Sequence, residues 1–360
     1  MISTIFVSAF GVLFAAFAGV RKYERALIGS FSFLYLYLAL RYNFGNDYRA
    51  YHDAFLEINN FASIDYFGSY SSFEAGWVWL CRMFEPFGFF VLVATLAFFS
   101  CVVYWRFFRL YVPRQLYWLA FFIYTVLPEN MLTQLSAMRQ AVAICFVVLA
   151  VDFVVKRSLT GFVVLVSCAA LFHSSAAVFF PLYLVGRDFK VGKFLIAGFI
   201  SAYLVLFVYA EVVVGSLLQY LSTAESSTAI DRYLGYEDKG SLGSGLGLAY
   251  SVMYLLSLLL AHNFLDAKGR VIVRMALLGV CLVPLVVSMA MLSRVSLYLN
   301  IFSIAAIPLV ASCIREKALQ YAYIAVHIAF FSRAFFVFFQ DPIFVDAYTS
   351  YSTIFSTLPW

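Results

Sequence analysis

The sequence is short of charge: Lys, Arg, Asp and Glu make up 12% of its 360 residues, about half the share of a soluble domain. That excludes a soluble globular fold and a charged disordered chain. It also lacks the motifs of nucleotide and metal chemistry. There is no D-x-D, H-E-x-x-H, G-x-S-x-G, Walker or dinucleotide-binding fingerprint. No His, Cys and carboxylate cluster has metal-ligand spacing. Its six cysteines (Cys81, Cys101, Cys145, Cys168, Cys281 and Cys313) lie in or beside apolar runs without a C-x-x-C pair, and read as small buried hydrophobes. No Lys or Arg occurs in the first 20 residues, which argues against a cleaved signal peptide. Internal repeats and low-complexity runs are missing too. The expectation is chemistry with no metal and no cofactor, and no nucleic acid among the partners.

Hydrophobic residues, by contrast, are 64% of the chain and its mean hydropathy is +0.92. Apolar runs fall at 2–20, 26–41, 87–105, 115–131, 139–155, 158–172, 174–185, 194–215, 248–265, 271–292, 295–313 and 318–338. This pattern predicts an all-α polytopic transmembrane bundle of 11–12 segments in a single membrane domain, 1–360. The pair 158–172 and 174–185 is short for a ~30 Å hydrocarbon core and turns at Phe172-His173-Ser174-Ser175. A single tilted span is the rival, but it would move Arg187, Lys190 and Lys193 to the other side. Every second connection is basic: 16 of the 24 Lys and Arg lie there, against five of the 19 acids. The Lys/Arg bias of short loops makes that side cytoplasmic and puts both termini outside. It also accounts for most of the net +5 charge. The longest polar stretches, 42–86 and 216–247, are then external.

Eight basic residues contradict that bias: Arg41, Arg49, Arg82, Arg139, Arg232, Lys239, Arg294 and Arg333. Seven are arginine, whose planar fork suits phosphate and carboxylate oxygens. Snorkelling to headgroups is the ordinary explanation for arginines at helix ends, yet it does not explain the near absence of lysine. An outer ring of arginines suits a phosphorylated lipid.

Five segments hold the candidate residues. In 41–51, Gly45 breaks a helix and Asn46 caps a new one, with Tyr48, Tyr51, Phe55 and Ile58 on one stripe and Arg49, Asp53 and Glu57 opposite. Asp47 and Tyr51, one turn apart, are expected to face a site together with Arg41. Glu74 opens a short helix that stops before Pro86, where an acid orients an arginine or a sugar hydroxyl, or simply stabilises the helix start. Arg139 and Gln140 begin an apolar helix, where free N–H groups favour anionic oxygens. His173 is the one histidine at an expected outer turn and can accept a proton from a hydroxyl; a structural, hydrogen-bonded histidine is the plainer reading. Arg294 lies between two apolar runs.

The runs RYNFGNDYRAY, FEAGW, MRQAVAI and ALFHSSAAVFFPLYL, in this order, resemble the EpsG branch of the Wzy polysaccharide polymerases. Arg294-Val295-Ser296-Leu297-Tyr298 is similar to that family's later arginine segment, and the tail around Asp341–Tyr351 fits loosely. Asn43-Phe44 departs, standing where small residues are commoner, and 216–247 matches nothing in the pattern. The resemblance implies a GT-C-like membrane glycosyltransferase at the outer face of the bacterial inner membrane. Its donor and acceptor would be undecaprenyl-diphosphate-linked oligosaccharides in the lipid bilayer, polymerised into O-antigen or another surface polysaccharide. A chain-length regulator is a further partner that the resemblance implies. His173, Arg139 and Arg294 would be catalytic, and Arg41, Asp47, Tyr51, Glu74 and Gln140 would bind substrate. A flippase for the same lipid, a membrane O-acyltransferase and an O-antigen ligase are the rivals. The flippase is disfavoured by the missing repeat.

Overall fold

The computed structural model describes residues 1–20, 23, 25–60, 73–224, 244–288 and 290–357. Arg21, Lys22, Glu24, Asp231, Arg232, Lys239, Gly240, Gly243 and most of the 216–247 stretch lie outside the described residues. The fold is an all-α bundle. Its helices are α1 (Ile2–Gly19), α2 (Ala26–Ala39), α3 (Tyr48–Asn60), α4 (Ala75–Met83), α5 (Phe89–Tyr111), α6 (Tyr117–Val126), α7 (Pro128–Ser136) and α8 (Met138–Val155). After them come α9 (Leu159–Phe172), a 3-10 helix (Ser174–Gly186), α10 (Lys193–Ala224), α11 (Ser244–Ala261) and α12 (Ala267–Ser288). The chain closes with α13 (Ala290–Asn300), α14 (Ser303–Cys313), α15 (Lys317–Phe338) and α16 (Pro342–Thr349). Among the described residues, 7 helices are long and apolar enough to cross a membrane, or 8 if the bent pair α13–α14 is one span. The protein is a multi-pass membrane protein.

Burial ranks the helices. The window spanning α8 is 72% buried, while that of α10 is 11% buried and presents Phe194, Val205 and Val208 outward. So α8 is the central post, and α10 belongs to the lipid-facing perimeter. An apolar perimeter is what a bilayer-embedded bundle requires. The expected short pair is present, with a difference. Its second member is a 3-10 helix of 13 residues, and at ~2.0 Å rise per residue it reaches about 26 Å, most of the hydrocarbon thickness. The run expected at 115–131 breaks at Pro128, which opens α7 at its first turn. Arg294 is not in a connection but inside α13.

At the end of the bundle reached by the C-terminus of α8, Asp152 is buried and bonded by Tyr111 and Arg106. Nearby connections are fastened by Arg274, 3% exposed, which donates to His262 Nε2 at 2.9 Å and to the Val185 carbonyl at 2.8 Å. Part of the basic bias at this end is therefore structural.

The opposite end is tied by the C-terminal segment. A two-residue strand β1 (Arg41–Tyr42) pairs antiparallel with β2 (Ser352–Thr353). Gly45 N–H donates to the Ala347 carbonyl at 3.1 Å, Tyr351 Oη to the Tyr37 carbonyl at 2.7 Å, and Tyr348 Oη to Ser136 Oγ at 3.0 Å. Phe44, fully buried, is surrounded by the rings of Tyr37, Tyr348 and Tyr351. Gly45 has φ +115, and a Cβ there would meet the Leu135 carbonyl oxygen at 2.5 Å; only glycine fits both constraints.

The stripe Tyr48, Tyr51, Phe55 and Ile58 is buried as the period implies, and Arg49, Asp53 and Glu57 are exposed. The stripe packs on Trp77, Val78, Phe89 and Val93 of α4 and α5, however. It is a protein–protein seam rather than a membrane-resting face.

Candidate functional site

Four separate segments meet at the N-terminus of α8. Glu74, at the N-cap of α4, is the hub. One carboxylate oxygen receives the Ser174 N–H at 3.0 Å and lies 3.3 Å from His173 Nδ1. The other accepts from the Arg139 guanidinium, which also lies over the Phe73 ring at 4.6 Å. Arg139 and Glu74 side chains are 20% and 18% exposed, and His173 is 13% exposed, so this is a half-desolvated cluster at a surface. Tyr51 lies against Arg139 from α3, its phenol pushed up by burial and pulled down by the guanidinium.

Local sequence explains the approach. A Cβ on Gly76 would stand 2.7 Å from the Leu171 carbonyl oxygen, so the start of α4 rests directly on the last turn of α9. That contact brings Glu74 to His173, the extended residue (φ -154) ending α9. Gly76→Ala is expected to lever α4 away and destabilise the protein by about 1–3 kcal/mol, read as a lower unfolding temperature in detergent.

Burial alone would raise the Glu74 carboxyl. The bonds from His173 and Ser174, and the Arg139 charge, outweigh it and bring the pKa down to about 2. Glu74 is therefore ionised at neutral pH and can only accept hydrogen bonds. The His173 contact then calls for Nδ1–H, leaving Nε2 as the basic nitrogen, the same orienting logic as a carboxylate–histidine dyad. Because the folded pKa lies below the ordinary 4.5, the stabilisation is present above that value. It is lost as pH falls from about 4.5 towards about 2. Thermal unfolding across that window should show the loss in wild type and a smaller one in Glu74→Gln.

Arg294 and Asp47 complete the rim. Asp47 is raised by partial desolvation, against the fields of Arg294 and then Arg139. The Gln140 amide donates to the Arg294 carbonyl at 2.6 Å, which fastens α13 to the start of α8. The Arg294 side chain itself is exposed. Among the described residues no group of three or more His, Cys, Asp and Glu is placed to hold a metal ion.

A family model described as the EpsG family matches residues 25–353. The chain belongs to the EpsG family. Every segment that meets at the site lies within that match, and membership supports a polysaccharide polymerase-like role for this EpsG-family protein. No curated protein and no solved structure matches the chain.

The structure brings Arg139, Glu74, His173, Asp47, Tyr51 and Arg294 to one place. Two expected substrate ligands lie below the rim. Gln140, 4% exposed, donates its amide N–H to the Arg294 main chain and so fastens α13. Arg41, also 4% exposed, lies beneath α8 against a cavity of about 20 Å³ lined by Gln134, Met138 and Ser100. Burial lowers its pKa to about 10, with tyrosines 48, 348, 351 and 37 opposing, so it stays charged at neutral pH but below the rim. Arg49 is exposed and bonded to Asn43 at 2.9 Å.

Three contributors were not singled out from sequence. They are the Ser174 N–H, the Phe73 ring under Arg139, and Tyr298, fully buried and bonded by Ser175 Oγ at 3.4 Å. Ser174 and Ser175 adjoin His173, and Phe73 adjoins Glu74, so neighbourhood was the available signal.

Proposed function

We propose that this EpsG-family protein polymerises oligosaccharide repeat units carried on undecaprenyl diphosphate. The observation that supports this most is the convergence of Glu74, Arg139, His173 and Arg294 from four distant segments onto one end of the bundle. Arginines suit a diphosphate, and a carboxylate-oriented histidine suits a hydroxyl. The basic connections gather at the opposite end, which supports a site facing away from the cytoplasm of a bacterial inner membrane.

In the proposed step the acceptor hydroxyl oxygen attacks the anomeric carbon of the donor's diphosphate-linked sugar. The new C–O bond forms as the bond from that carbon to the phosphate oxygen breaks, and undecaprenyl diphosphate leaves with the electron pair. The hydroxyl proton passes to His173 Nε2. Arg139 and Arg294 stabilise the charge growing on the departing diphosphate. Glu74 acts through both neighbours: it holds His173 in one tautomer and keeps the Arg139 fork in place.

The test is purified protein in liposomes with one synthetic undecaprenyl-diphosphate repeat unit and no nucleotide sugar. The reading requires a glycan ladder, with one undecaprenyl diphosphate released per linkage. No ladder, with the lipid changing leaflet instead, would replace the polymerase by a flippase.

A further inference from the structure

A second concavity lies apart from the charged cluster. It measures about 280 Å³ and opens between α10, α11, α12 and α15, with Leu248, Val280, Val283, Leu299, Phe330 and Phe331 on its walls. Leu248 is in the first turns of α11, and Val280 and Val283 are in the last half of α12. Following the alternating helices, both positions belong to the half of the bundle that carries Arg139 and His173. Leu299 sits on α13 itself, five residues after Arg294, or about 7.5 Å along the axis. One helix thus carries the exposed cation and, less than two turns on, a wall of the cavity.

We infer that this cavity receives the first isoprene units of the apolar tail of the lipid substrate whose diphosphate lies at Arg294, an inference that rests on the reaction proposed above. The chemistry of the lining argues for a hydrocarbon chain. Polar groups at the wall have partners: Asn300 donates to Glu129 at 2.7 Å, and Tyr250 Oη bonds His327 Nδ1, behind the wall, at 2.7 Å. Two buried polar atoms at the wall, Tyr254 Oη and Ser303 Oγ, have no hydrogen-bond partner, a sparse set beside the several hydroxyls of a sugar ring, each of which costs free energy when buried without a partner. A branched isoprenoid chain needs no such partners and gains from burial against Phe330, Phe331 and the valines. It would also fix the diphosphate's approach to the rim, so recognition of the tail and positioning of the leaving group become one event.

The experiment compares repeat units on undecaprenyl and single-isoprene (dimethylallyl) tails, in wild type and in Val283→Phe, which fills the cavity. Wild type should show a KM at least about tenfold lower for the undecaprenyl substrate, and Val283→Phe should raise that KM until the preference is erased. An unchanged preference in Val283→Phe would place the tail elsewhere and overturn the inference. Equal losses on both substrates would also overturn it, pointing to a sugar or to packing. Should the variant fail to fold, wild type is read directly with a photoreactive diazirine on the isoprenes next to the diphosphate. Label on α11 and α12 is expected. Label confined to other helices, or equal labelling by a diazirine phospholipid, contradicts it. A wild type that makes no polymer from either lipid fails the reaction itself, a result distinct from each of these.

Discussion

His173→Ala is expected to lower the rate of polymer formation by about 10²–10⁴-fold, the usual contribution of a positioned general base. Affinity for the lipid-linked substrate should stay near that of wild type. The reason lies in the geometry. His173 ends α9 with its Nδ1 3.3 Å from an ionised Glu74, an approach that favours Nδ1–H and leaves Nε2 facing the acceptor. A histidine serving only to close the turn would behave differently, because its main-chain N–H already bonds the Ala169 carbonyl and survives the substitution. Initial rates in liposomes, with tail-labelled substrate to measure binding, separate the two roles.

Arg139→Ala should cost about 10²–10³-fold, the typical effect of removing one charge-stabilising donor, and should also weaken folding. It removes the cation from a half-buried ion pair, so Glu74 is left with Ser174 and His173 alone, and breaking such pairs costs about 3–5 kcal/mol when they are fully buried. At 18–20% exposure the loss should be smaller than that. Arg139→Lys restores the charge without the fork that reaches Glu74 and Tyr51 together, so stability should recover further than rate. Arg49→Ala is the matched control, since Arg49 is exposed and bonds only Asn43 in the hydrogen bonds observed around it. Polymer yield should be unchanged there.

Hydropathy and charge placement made the bundle legible. The start of α8 at Met138, the turn at His173 and the stripe Tyr48–Ile58 follow from apolar runs and periods that are local in sequence. Where the structure departs, the cause is a partner far along the chain. Arg41 is at a helix end in sequence, but β2, some 310 residues later, pairs with its strand and covers it. Gln140 stands beside Arg139, yet its amide is claimed by a main-chain carbonyl 154 positions away. The apolar run after Arg294 reads as one span, whereas α13 and α14 meet at a 45° bend, beside Asn300 and its bond to Glu129. A 3-10 rise at 174–186 is equally invisible to hydropathy, because periodicity hardly enters a segment that is apolar all round. The charged members of the site were readable because a membrane tolerates misplaced charge poorly. Their division of labour was not, since Glu74 reads alike as a helix cap or a sugar ligand until its neighbours at positions 139, 173 and 174 are placed around it.

The central claim is that Glu74 works through His173 and Arg139. A double-mutant cycle on polymerisation rate tests it most directly, using Glu74→Gln, His173→Ala and both together in proteoliposomes. The account predicts that the double variant loses markedly less than the product of the two single losses, because the second change removes an orientation that no longer matters. A double loss equal to that product would mean that Glu74 and His173 act independently, and would contradict it.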